Sequence, residues 1–92
     1  MNETRNDLTL TFDEVWDLWP AVMEAVKYRR RFTWTLLLHN AILIGFDGTT
    51  VRLAFTWEGA LDSFTTTGGV DVLRAAIQDA LGVDWQIEAV EA

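Results

Sequence analysis

Two runs of alternating apolar residues, Ala41 to Phe46 and Thr50 to Trp57, flank Asp47-Gly48, and no other feature leaves this chain fewer choices. Asp-Gly tolerates the backbone angles of a tight turn, so the runs pair as antiparallel strands instead of continuing as one. The alternation puts Ile42, Ile44 and Phe46 on one face, matched by Val51, Leu53, Phe55 and Trp57. Val83, Trp85 and Ile87 alternate again near the C-terminus and supply a closing strand.

The remaining periodicity is helical. Thr11-Phe12-Asp13-Glu14 fits a capping box, in which Thr accepts from a first-turn amide and Glu reaches back to the cap. Phe12, Val15, Trp16, Trp19, Val22, Met23 and Val26 then recur at steps of three and four, opposite Asp13, Asp17, Glu24 and Lys27. Pro20 either kinks this helix or opens its second half, and a kink is the expected outcome. Phe32 to His39 reads as a second short helix that Asn40 closes in a left-handed conformation. Glu58 to Phe64 places Ala60, Leu61 and Phe64 inward, before the polar link Thr65-Thr66-Thr67-Gly68-Gly69. Val70, Leu73, Ile77, Ala80 and Leu81 form the stripe of a last helix, with Asp71 in its first turn and Gly82 just past its end. The expectation is an α+β fold, a three-stranded mixed sheet under a layer of helices. Residues 1–10 read as a flexible arm and 11–92 as a single domain.

Ninety-two residues exclude an ordinary enzyme built from two lobes around a cleft. The chain has no cysteine, which removes disulfides and thiolate metal sites, and no apolar run approaches the roughly 20 residues that span a bilayer. Met1 to Asp7 is polar and unlike a signal peptide, so a cytoplasmic protein is expected, with no membrane contact. A net charge of −7 argues against wrapping DNA, which needs a broad basic face. Charge is nevertheless sorted: four of the seven cationic side chains are Lys27, Arg29, Arg30 and Arg31. They complement the dipole of a helix C-terminus, but four exceed that need, and they lead into Phe32 and Trp34. This junction is the candidate partner-binding site. Lys27, Arg29, Arg30 and Arg31 steer an acidic patch or a phosphate backbone, and Phe32 or Trp34 supplies an apolar anchor.

Catalytic signals are sparse. His39 is the only histidine, so no second His or Cys completes a metal set or a nucleophile pair. Asp13, Glu14, Asp17 and Glu24 lie on a polar helix face that normally meets water, and Ser63 has no base beside it in sequence. No cofactor, metal or small-molecule substrate is expected, and the chain reads as noncatalytic.

With Phe32 to His39 set aside, the order helix, strand, strand, helix, helix, strand is that of a type II KH-like fold. KH domains grip nucleotides with a Gly-x-x-Gly loop between consecutive helices. Here that link has neither this motif nor a cation. The residues themselves resemble a C-terminal domain of the tau/gamma subunit of bacterial DNA polymerase III, in its actinobacterial form. The likeness spans roughly Phe12 to Val90. It is carried by Trp19-Pro20-Ala21-Val22, by Val26-Lys27-Tyr28-Arg29-Arg30-Arg31-Phe32-Thr33-Trp34 and by Asn40-Ala41. Phe46-Asp47-Gly48-Thr49-Thr50 and Leu81-Gly82-Val83-Asp84-Trp85-Gln86-Ile87 complete it. The resemblance implies an interaction module of a clamp-loader subunit that tethers other replisome components, among them the polymerase catalytic subunit, in DNA replication. The Gly-x-x-x-x-Gly-Lys loop of an ATPase is missing, so ATP chemistry would belong to other parts of such a subunit. The alternative is a KH-like module that binds single-stranded nucleic acid through the Lys27 to Arg31 patch.

Overall fold

The computed structural model describes residues 10–92. Its elements run α1 (Phe12–Arg29), α2 (Arg31–Asn40), β1 (Ala41–Phe46), β2 (Thr50–Phe55), α3 (Glu58–Thr66), α4 (Gly69–Leu81) and β3 (Gln86–Glu91). The fold is α+β in the expected order, with α2 as the extra helix. Of the expected arm, residues 1–9 lie outside the described residues, while Leu10 packs against the core.

The sheet is mixed, ordered β1-β2-β3, with β1 antiparallel and β3 parallel to the central strand. Asp47 closes the hairpin: one carboxylate oxygen accepts from the Thr49 amide at 3.0 Å and the Thr50 amide at 2.8 Å. Those two donors hold the Asp47 carboxyl below the usual carboxylate range. Gly48 supplies the positive φ of +106° that the turn requires.

Val51, Leu53 and Phe55 of β2 are almost wholly buried, and Phe55 stacks on Phe64 of α3 with ring centroids 5.1 Å apart. Each such side chain contributes about 1.5–3 kcal/mol by leaving water. Strand β1 answers this row with an irregularity. Leu43 lies opposite Leu53 and Phe46 opposite Val51, with a register shift between Leu43 and Gly45. Three residues separate Leu43 from Phe46, a step that would send them to opposite faces of a regular strand. The extra residue at the shift returns both to the core side. Ile42, Ile44 and Phe46 therefore do not share a face, as simple alternation predicts: Ile42 and Ile44 stand about half exposed.

Other boundaries move for similar reasons. Strand β2 ends at Phe55, and Trp57 becomes the exposed N-cap residue of α3. Strand β3 begins at Gln86, later than the alternation from Val83 suggests, because Trp85 turns into the core with its ring 4.4 Å from Phe46. Helix α1 starts on the expected capping box, with Thr11 Oγ1 accepting from the Glu14 amide and Glu14 Oε1 accepting from the Thr11 amide. It continues unbroken through Pro20, so Pro20 opens no second helix. No non-glycine residue among those described has positive φ, so Asn40 ends α2 without a left-handed cap and the chain passes straight into β1. Helix α3 extends to Thr66, its last threonine hydroxyls donating to the carbonyls of Leu61 and Asp62. The expected five-residue link shrinks to Thr67-Gly68.

Two substitutions test this packing by urea or thermal unfolding. A Cβ at Gly69 would lie 2.6 Å from the Phe64 carbonyl oxygen and against its ring. Gly69→Ala is therefore expected to cost about 1–3 kcal/mol through overpacking at the α3–α4 junction. Thr33 is fully buried and its hydroxyl has no hydrogen-bond partner. Thr33→Val, which keeps the shape and removes the stranded polar atom, is expected to stabilise by about 1 kcal/mol or more.

Candidate docking surface

The basic cluster straddles a corner of a single residue. Arg30 is at once the C-cap of α1 and the N-cap of α2, in extended conformation, with its amide donating to the Val26 carbonyl and its carbonyl accepting from the Trp34 amide. An extended residue between two helices turns successive side chains in different directions, and the four cations separate accordingly. Arg29 turns to α4, where Nε and Nη2 donate to the two carboxylate oxygens of Asp79 at 2.5 and 3.1 Å. Arg30 reaches across the fold, and its Nη1 donates to the Thr67 carbonyl at the end of α3. Only Lys27 and Arg31 remain together. They lie 4.9 and 5.8 Å from the Trp34 ring centroid, and neither pairs with a carboxylate among the described residues. Tyr28 is almost completely exposed beside them, and Phe32, also exposed, stands two residues before Trp34 and therefore on a different side of α2.

Trp34 also belongs to a second feature, a groove of about 620 Å³ between α1 and α2 that opens along β1. Trp16, Trp19, Pro20 and Met23 line it from α1, Leu38 from α2 and Ile42 from β1, and Glu24 is its one charged lining residue among those described. Its origin is the width of the apolar stripe on α1. Val15, Val22 and Val26 are fully buried, and α1 packs most extensively on α4. Trp16 and Met23 project from the neighbouring flank, beyond what that contact covers. Trp16, Leu38 and Ile42 consequently stay 53, 52 and 49 % exposed, although the helical stripe of α1 includes Trp16 and the strand alternation includes Ile42. No periodicity separates a residue that meets the core from one that lines an unfilled groove, since both are apolar at helical spacing.

Of the candidate residues, then, Lys27 and Arg31 meet at Trp34, Phe32 is exposed on a different side of α2, since residues two apart on a helix do not face each other, and Arg29 and Arg30 brace the fold. Nothing local in the sequence marks Asp79 and Thr67 as their partners, because 50 and 37 residues intervene. His39 is exposed at the end of α2. A further concavity of about 610 Å³ is lined by Trp57, Glu58, Asp62 and Glu91, with no histidine or cysteine beside them. No group of three or more His, Asp or Glu residues is placed to hold a metal among the described residues. Nor is any of their helices long and apolar enough to cross a membrane. No family model, curated protein or solved structure matches the chain.

The Arg29–Asp79 pair has a pH signature. The Arg29 hydrogen bonds hold the Asp79 carboxyl below its ordinary value. A carboxyl depressed on folding stabilises the fold above its unfolded pKa and ceases to do so as pH falls through the folded one. Both side chains are about half exposed, so the effect is small. Asp79→Asn is expected to lower the thermal midpoint slightly at neutral pH, and the difference is expected to shrink as pH falls below the ordinary carboxylate range toward the depressed pKa of folded Asp79. The measurement is a series of melting curves from neutral to acid pH.

Proposed function

We propose that the chain is a noncatalytic protein-interaction module of the tau/gamma subunit of a bacterial DNA polymerase III holoenzyme, acting in the cytoplasm to tether the clamp loader to a replisome partner such as the polymerase catalytic subunit. The observation that carries this reading is the arrangement at Trp34. Two cations, neither paired with a carboxylate among the described residues, lie over an aromatic ring, and Tyr28 stands exposed beside them. Such a corner suits an acidic segment that ends in an apolar anchor. The cations speed encounter and fix register, while the aromatic surface holds the complex. The family assignment rests on the residue likeness from Trp19 to Ile87, and the KH-like order of elements agrees with it. Among the described residues, two unpaired cations at this corner are few for nucleic acid, and the link where a KH domain grips phosphate carries the Arg30–Thr67 contact.

Anisotropy titration of the labelled chain with purified polymerase catalytic subunit tests the reading. The double variant Lys27→Glu and Arg31→Glu is expected to weaken binding at least about tenfold, or ~1.4 kcal/mol. Arg52→Glu, which alters a cation paired with Glu88 on the sheet, is expected to leave affinity unchanged. Equal affinity for wild type and double variant would retire the corner as the docking site. Binding to a single-stranded oligonucleotide, with log affinity falling against log salt at a slope of about −1.4 for two phosphates, would favour the nucleic-acid alternative.

A further inference from the structure

We infer that the groove between α1 and α2 seats an amphipathic α-helix from a partner protein, with basic residues along the edge that faces α1. The site differs from the cationic corner and shares only Trp34 with it, so the two surfaces stand or fall separately. Three elements contribute large, half-exposed apolar side chains to the same concavity: Trp16 from α1, Leu38 from α2 and Ile42 from β1. Isolated exposed apolar residues are ordinary on a protein surface, but convergence on one groove is the mark of a contact site.

The groove's form favours a helix. From Trp16 to Glu24, α1 advances about 12 Å at 1.5 Å per residue, room for roughly two turns with anchors at i, i+3 or i+4, and i+7. The lining is predominantly apolar and aromatic, with Glu24 its only charged residue among those described, which favours an apolar helix face over a small polar ligand. A strand added to the free edge of β1 would meet the register shift beside Ile44, which bends the edge and disrupts regular pairing.

Charge decides among the remaining occupants. Asp13, Asp17 and Glu24 stand exposed along α1 beside the groove, and none pairs with a cation among the described residues. A second copy would bring this acidic edge, and a net charge of −7, against its own likeness. An anionic membrane surface would be repelled in the same way. A helix with a basic edge meets the acids with opposite charge.

The probe is a synthetic amphipathic peptide of about four turns, with Leu at helical spacing and Lys elsewhere, titrated into the full chain while Trp indole resonances and peptide helicity are followed. The expected result is saturable binding that induces helix and shifts the indole signals of Trp16 and Trp19. Leu38→Asp and the milder Ile42→Thr should each weaken binding, the former at least about tenfold, and Trp57→Ala on the other concavity should not. Both groove positions are half exposed, so each variant should keep a cooperative melting transition, which is checked first. Equal binding of a Leu/Glu peptide, an equal loss from Trp57→Ala, or no binding by any helical peptide would overturn the inference. So would a dimer in sedimentation equilibrium that Leu38→Asp dissociates, because the occupant would then be a second copy. Peptide binding that survives Lys27→Glu with Arg31→Glu, alongside lost binding of the catalytic subunit, separates this site from the corner.

Discussion

Burial of one face of the central strand governs the rest of the molecule. Val51, Leu53 and Phe55 lie under the helices with almost no exposure, and among the described residues β2 is the only strand paired on both sides. Its phase is therefore fixed, since a slip of one residue would exchange three large apolar side chains for Arg52 and its neighbours. Strand β1 must accommodate to it. The shift after Leu43 lets Leu43 and Phe46 both face inward, and Phe46 then meets Trp85. The same adjustment leaves Ile42 and Ile44 half exposed at the edge of the sheet. One packing requirement thus completes the core and opens one wall of the groove.

The basic cluster illustrates how a sequence-adjacent group is divided by the fold. The break at Arg30 turns the chain between α1 and α2 with a single extended residue. Arg29 joins α1 to α4 and Arg30 joins the corner to the end of α3, so two cations act as internal braces. The Arg30 contact also answers a question posed by the α3–α4 link, which carries no cation of its own. A cation does arrive there, from 37 residues away, and its donor is engaged by a backbone carbonyl. Lys27 and Arg31 are left to the surface, on the ring of Trp34, where the corner meets the groove.

The groove follows from one property of α1, an apolar stripe wider than its packing against α4, α2 and β1 covers. A helix that served only the core would need the Val15, Val22 and Val26 row and little more. Trp16, Pro20 and Met23 widen that row toward α2, where Leu38 and Trp34 face them without closing the gap. Surplus apolar surface of this kind lowers solubility unless something covers it. The acidic edge of α1 offsets that cost and selects the charge of what can approach.

Local chemistry was enough to determine the hairpin at Asp47-Gly48, the capping box at Thr11, the glycine stop at Gly82 and the order of elements. Each depends on residues within a few positions of one another, where backbone angles and short-range hydrogen bonds decide the outcome. The phase of β1, the inward turn of Trp85, the absence of a left-handed cap at Asn40 and the separation of the four cations were settled only in the folded chain. Those outcomes depend on partners far away in sequence: the buried row on β2, the ring of Phe46, Asp79 and the Thr67 carbonyl. Hydrophobic spacing states which residues must leave water, but it does not state whether the surface that receives them belongs to the same chain. For Val15, Val22 and Val26 it does; for Trp16, Leu38 and Ile42 the fold supplies only part of it.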